Sequence, residues 1–560
     1  MSGWPIAFAV LAPLLGIAAF VVVHSAHALR WLLPLASVPA LLAALLPSDS
    51  LVLPELLLGS RLEVDELGRA VLLLVGLAWS AAGWWAADRL HARFRVFAMF
   101  WLAALAGMVI AAVAADLATF YTGYVVMTLA GYGLVVHERS PQAWRAGRVY
   151  LVLAMSGEGL LLSGLLFIGA RVGNAELASL PAALNGDDAV RAGALLLGGF
   201  AVKMGVAPLH VWLPVAHPVA PVPASAILSG VLVKAGLLGA LRTVPAQPFD
   251  LTGLPATLAI GVGLFTALYG VAMGLPQQRL KTALAYSTVS QMGLLFAAVA
   301  AALGAQGERG GALITLLVLH HGLNKSALFL AAGSEPAASR LRLVLLALPA
   351  LAIAGLPFTT GELAKSALKE ALAGSALGAW SGPLLAASSF ATALLMLRVF
   401  RLARGTADGK GGAVPPVHPA WCLLVIAASV APWLQAALDG IARVPDVSHA
   451  CDATWPAVLA LGVAWTWHRL GGAAWMPAIP EGDLLAPATA TVAALRRGMR
   501  LLLRSSAGAA ALAAAAGVRL KASRFRFASV VRRMESSLVT LPVAGVLMLS
   551  LTGLLWWAMV

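Results

Sequence analysis

Two cysteines in 560 residues, Cys422 in an apolar run and Cys451 in a connecting stretch, make neither a disulfide framework nor a thiolate metal site. Charge is equally scarce. Asp, Glu, Lys and Arg together are 11% of the chain, against about 25% in soluble domains, which excludes an ordinary soluble fold. No CxxC, HExxH, Walker or GxGxxG arrangement stands in a fitting context. There is no ligand set for flavin, iron–sulfur or haem, so the chain is not itself a redox catalyst. Acids are outnumbered, 24 against 38 Lys and Arg, for a net charge of +14. In a membrane chain such an excess reflects cytoplasmic anchoring, not nucleic acid.

What is abundant is hydrocarbon. Hydrophobic residues are 61% of the sequence, and apolar stretches long enough to cross a core of about 30 Å recur from end to end. They are continuous, not alternating, so the chain reads as an all-α polytopic membrane protein and not a barrel. The first stretch, PIAFAVLAPLLGIAAFVVVH, lacks a basic start and is long, and reads as a true span, not a cleaved signal. Sixteen spans are expected, near 5–24, 29–47, 69–87, 96–115, 117–136, 149–170, 192–212, 222–241, 254–274, 283–303, 312–332, 341–375 (broken), 382–401, 419–438, 454–468 and 539–558.

The loops DRLHARFR, after span three, and ERSPQAWRAGR, after span five, are basic. So are the segments with Arg279 and Lys281 and with Arg401, Arg404 and Lys410. The stretches 49–66 and 439–452 are acidic. The positive-inside rule then puts odd loops in the cytoplasm and both termini outside, in a bacterial inner membrane. Segment 487–535, Ala- and Leu-rich with ten Arg and Lys, reads as a lateral amphipathic helix at the cytoplasmic interface. It is either an anchor to anionic lipid or a strap across neighbouring spans or subunits.

Two spans are interrupted by Gly and Pro and carry lysine: span seven (Lys203, Gly205, Pro208) and span twelve (Gly355, Pro357, Gly361, Lys365). They lie five spans apart, an odd offset. That makes two inverted five-span units, 96–241 and 254–401, after N-terminal spans in 1–115 and before spans in 419–468, the lateral helix and a last span in 539–560. Interrupted helices at matching places in two halves point to a transport site. Other ionisable residues also sit at membrane depth: Glu158, His210, Lys234, His320, His321, Lys325, Glu362 and Lys369. A charge at mid-bilayer costs about 3 kcal/mol or more. Lys369 reads as snorkelling to the headgroups. The rest read as a proton relay, because burial and a nearby carboxylate pull a lysine's proton affinity in opposite directions. His210 is balanced between relay and ordinary loop residue.

KMGVAPLHVWLPVAHPVAPVPASAILSGVLVKAG, LPQQRLKTALAYSTVSQMG, HHGLNKSALFLAAG and AGLPFTTGELAKSALKE resemble the antiporter-like membrane subunits of respiratory complex I, Mrp-type cation/proton antiporters and membrane-bound hydrogenases. The wording resembles the hydrogenase-4 component B and Mrp D-type branches more than the complex I subunits. The resemblance implies fourteen core helices, two inverted repeats and a lateral helix. It implies relay roles for Lys203, Lys234, His321, Lys325 and Lys365. It also implies a glutamate in span five beside Lys203, where this chain has Val125. Glu158 or Asp116 is the candidate substitute, Glu158 being deeper.

The expected function is translocation of H⁺, with exchange for Na⁺ left open, as one subunit of a larger membrane oxidoreductase complex. Quinone, flavin or iron–sulfur groups would then lie in partner subunits. The alternatives are a proton-flux subunit energising inorganic carbon uptake through a partner protein, a structural arm that has lost conduction, and a stand-alone solute transporter.

Overall fold

The computed structural model describes residues 3–485 except 24, 26, 58, 174–175, 306–307, 334–339, 406–416, 443–446 and 471–478. The expected lateral helix and last span lie outside the described residues. Met1–Glu481 forms one compact unit.

Nearly all of that unit is helical, because backbone polar groups in an apolar chain must bond within their own segment. It opens with α1 (Trp4–Val22), α2 (Leu32–Leu35) and α3 (Val38–Leu45). The acidic stretch that follows, read as a plain loop, holds a short antiparallel hairpin, β1 (Leu51–Leu53) and β2 (Ser60–Leu62). Then come α4 (Glu66–Arg89), α5 (Phe94–Val113), α6 (Leu117–Val135) and α7 (Pro141–Val172). The basic stretch 138–148, also read as a loop, lies mostly in the first turns of α7. Ser140 caps that helix, accepting from Ala143 N at 3.0 Å, and proline follows where no N–H is needed.

The chain continues through α8 (Leu180–Ala183), α9 (Gly186–Met204) and α10 (Trp212–Val219). Next, α11 (Val222–Ile227) passes through a π-helical turn, Leu228–Leu232, into α12 (Lys234–Thr243). After α13 (Leu254–Gly274), α14 (Leu280–Ala305) and α15 (Glu308–Ala331) come α16 (Arg340–Ala354) and α17 (Thr360–Leu372). The last described helices are α18 (Gly378–Gly405), α19 (Pro419–Leu438) and α20 (Val447–Arg469).

Ten of the described helices are long and apolar enough to cross a membrane; α3, α10, α16 and α17 are shorter, and α9, as long as α1, carries Asp187, Asp188, Arg191 and Lys203. Burial sorts the long ones. The apolar window of α15 is 100% buried and that of α11–α12 is 94% buried, whereas those of α1 and α19 are 33% buried. The helices that carry Lys234, His321 and Lys325 therefore meet other helices, not lipid. Arg242 fastens the end of this inner layer. Its guanidinium donates to Asp65 (3.1 and 2.5 Å) and to the carbonyls of Ala111 (2.9 Å) and Ala112 (2.8 Å), so a buried cation is fully satisfied.

Candidate functional site

The span expected at 192–212 is two helices. α9 stops at Met204 because Gly205 turns left-handed, φ +71°. Gly205 N bonds to Val202 O (3.1 Å) and Val206 N to Ala201 O (3.0 Å), the hydrogen bonds of a Schellman ending. Pro208 then bars re-entry into the helix. Trp212, at the start of α10, donates its indole N–H to Val202 O at 2.8 Å.

Just before this break, Lys203 turns its ammonium inward, 7% exposed, and donates to Thr128 Oγ1 at 2.9 Å. Glu158 from α7, 3% exposed, lines the same cavity with Thr128, Tyr124, Tyr150 and Trp212. Both of its carboxylate oxygens are buried with no hydrogen-bond partner among the described residues. The cavity is about 10 Å³, room for about one water. α6 thus meets Lys203 through Thr128, one turn beyond Val125. Asp116, the other candidate partner, does different work. It caps α6 through Thr119 N (2.9 Å), also accepts from Arg61 N (2.9 Å), and is not among the residues lining the cavity.

The backbone of Gly236 on α12 packs against the Lys203 side chain, which leads directly to Lys234. Lys234 starts α12 where the π-helical turn ends. Its ammonium donates to Ser229 O (3.3 Å) and pairs with His321 Nδ1 of α15. One turn further along α15, Lys325 donates to Leu284 O of α14 at 3.0 Å. Ser229 and Thr288 hydroxyls join at 2.7 Å between these groups. All three ionisable residues are 0% exposed. Among the described residues, no carboxylate hydrogen-bonds to either ammonium. His321 Nε2 is buried with no hydrogen-bond partner.

His320, on the neighbouring face of α15, meets Thr360 Oγ1 of α17 at 2.8 Å, and Asn324 binds His320 O at 2.7 Å. This carries the array to the second break. α16 ends at Ala354, Gly355 is left-handed at φ +82°, and Leu356 N reaches Leu351 O at 3.2 Å. α17 restarts with Thr359 as its cap, accepting from Gly361 N at 3.3 Å. Glu362 reaches back to Phe358 N, also at 3.3 Å, a variant of the capping box. Lys365 donates to Ala354 O and to Ser389 Oγ of α18, both at 2.8 Å. A Cβ on Gly355 would lie 2.8 Å from that ammonium, so glycine supplies both the turn and the room. Lys365 and Glu362 open on a cavity of about 1070 Å³ between α17, α18 and α20, which Lys369, Glu370 and Asp452 also line.

His210 packs among aromatic rings. It is fully buried against the rings of Tyr269 (5.3 Å between centroids) and Tyr286 (6.2 Å). Thr128, Tyr124, Tyr150, Ser229, Thr288, Thr360 and Ser389 were not singled out from sequence. Neutral hydroxyls carry no charge signal, and their partners lie on other helices.

Residues 114–394 match the family described as NADH:quinone oxidoreductase/Mrp antiporter, TM. The chain belongs to that antiporter family. Among curated relatives, hydrogenase-4 component B of Escherichia coli is 35% identical over 229 residues, 38% of this chain and 34% of that one. The NAD(P)H-quinone oxidoreductase chain 4 2 of Thermosynechococcus vestitus is 32% identical over 294 residues, 50% and 52% of the two chains. An uncharacterised Mycobacterium tuberculosis protein is 32% identical over 357 residues, 57% and 54%. The family chain described here thus spans about half the length, or less, of these relatives. Among solved structures, the Mrp complex from Dietzia sp. matches with TM-score 0.66 at 24% identity, over 82% of this chain and 99% of that one. An archaeal membrane-bound sulfane sulfur reductase matches with TM-score 0.65 at 19% identity, over the same shares. At those identities the likeness is one of fold.

Proposed function

We propose that this antiporter-family chain translocates H⁺, alone or in exchange for Na⁺, as one subunit of a larger membrane complex. The observation that carries the reading is the buried array itself. Glu158 and Lys203 lie at one helix break, Lys234, His321 and Lys325 at the centre, and His320 leads through Thr360 toward Lys365 at the second break. Buried ammonium and imidazole groups held by neutral dipoles can gain and lose protons in turn as hydration or a neighbour's charge changes.

In this reading, residues 96–241 and 254–401 are two inverted units, each supplying one broken helix. Segments 1–115, 419–468 and 539–560 flank them, and 487–535 straps the chain to partner subunits or anionic lipid. The redox centres belong to those partners, and the membrane is the bacterial inner membrane with both termini outside. Relatives named as hydrogenase and quinone oxidoreductase components support such a setting.

The test is proton uptake by proteoliposomes holding the complex that purifies with this chain. Lys234→Ala is expected to lower the rate roughly tenfold or more at equal assembly. An unchanged rate would count against the relay.

A further inference from the structure

The ammonium of Lys203 has more around it than the Thr128 hydroxyl. It lies 5.5 Å from the centroid of the Tyr124 ring and 6.0 Å from that of Tyr150. A cation within about 6 Å of an aromatic face is drawn to the ring's electron-rich centre, most strongly out of water, and both rings are 2% exposed. Neither is free to drift. Trp212 packs edge-on to Tyr150 with centroids 5.3 Å apart, and Phe200 edge-on to Tyr124 at 6.0 Å. Tyr150 also donates its hydroxyl to Thr128 O at 3.0 Å, so the residue that accepts from Lys203 also fixes the ring beside it. Among the described residues, no ring stands over Lys234, Lys325 or Lys365 in this way.

We propose that Tyr124 and Tyr150 are positioning residues: a two-ring cage, one ring from α6 and one from α7, that holds the Lys203 ammonium. The cage makes the protonated state of Lys203 tenable in a space with room for one water. Thr128 supplies the hydrogen bond, and the rings supply faces for the rest of the cation. This inference rests on the proton-relay reading and specifies how its first station is built.

The experiment compares Phe with Leu at each position in the proteoliposome assay, across pH. Tyr124→Phe and Tyr150→Phe keep the π face and should keep rates within about threefold. Tyr124→Leu and Tyr150→Leu remove it and should lower the rate roughly tenfold and displace the pH profile. Because a leucine variant can fail to assemble, a second series replaces Tyr124 with mono-, di- and trifluorophenylalanine. Fluorine keeps the ring's size and drains its face, so the rate should fall stepwise with fluorine number. A flat fluorine series, or Leu variants equal to Phe variants in rate and pH profile, overturns the cage. Lys203→Ala separates the two levels of the proposal. If it leaves the rate unchanged, the relay reading fails. If it abolishes transport while the fluorine series is flat, the cage alone fails.

Discussion

The two helix breaks share a backbone and differ in almost everything around it. Gly205 and Gly355 are both left-handed, and each is followed by a residue whose N–H reaches back five positions, Val206 to Ala201 and Leu356 to Leu351. Yet Lys203, at the first break, sits among Tyr124, Tyr150 and Trp212 with room for about one water and the Glu158 carboxylate in the same cavity. Lys365, at the second, is held by a carbonyl and a serine and faces about 1070 Å³ of open space. An interrupted helix therefore does not by itself admit water. The rings of Tyr124, Tyr150 and Trp212 crowd the ammonium at the first break, whereas Ser366, Ser389, Ala386 and Gly382 line the second together with Phe390 and Trp455. The two lysines meet the cost of desolvation differently, one with a hydroxyl and aromatic faces, the other with dipoles and an open cavity.

The sharpest way to break this comparison is to measure access. With Cys422 and Cys451 replaced by serine, Lys365→Cys should react with a membrane-impermeant thiosulfonate about a hundredfold faster than Lys203→Cys, since a one-water cavity excludes the reagent. Equal labelling rates would mean that both breaks are open. The next largest contrast is in what each lysine stands beside. Glu158→Gln removes the carboxylate that shares the Lys203 cavity and should cut translocation tenfold or more. Ser389→Ala removes one hydrogen bond from the Lys365 ammonium, gross about 1.5–3 kcal/mol, where water can take its place, and should cost threefold at most. If the serine variant were the more damaging in the proteoliposome assay, solvent would not be what holds Lys365.

Much of this was legible in the sequence, and the reason is physical. Gly-Pro interruptions inside apolar runs put the two breaks at 205–208 and 355–357, because glycine and proline dictate backbone conformation locally. Charge at membrane depth pointed to the lysines and histidines, since such residues are costly wherever they occur. Pairing was not legible. Lys203 reaches Thr128 across 75 positions and Lys234 reaches His321 across 87, and nothing in a single sequence records such contacts. The same limit made Asp116 a candidate partner for Lys203. Only the helix start at Leu117 reveals that its carboxylate is taken up by backbone N–H groups. Boundaries slipped where capping overrode hydropathy, as at Ser140, which starts α7 well before its apolar stretch.

The smallest predicted effect concerns the rim of the open cavity. Lys369 of α17 and Asp452 of α20 stand 3.9 Å apart across it, with side chains 56% and 73% exposed. Exposed pairs of this kind contribute about 0–1 kcal/mol, because water screens the charges and two long side chains must be ordered. Asp452→Asn should therefore leave translocation within about twofold, and should leave the labelling rate of Lys365→Cys equally unmoved. The second measurement carries the weight. If neutralising Asp452 changed labelling more than about fivefold while stability stayed constant, the pair would be holding α20 over the cavity. The openness of the second break would then be a regulated property of α20, not a consequence of the small residues that line it.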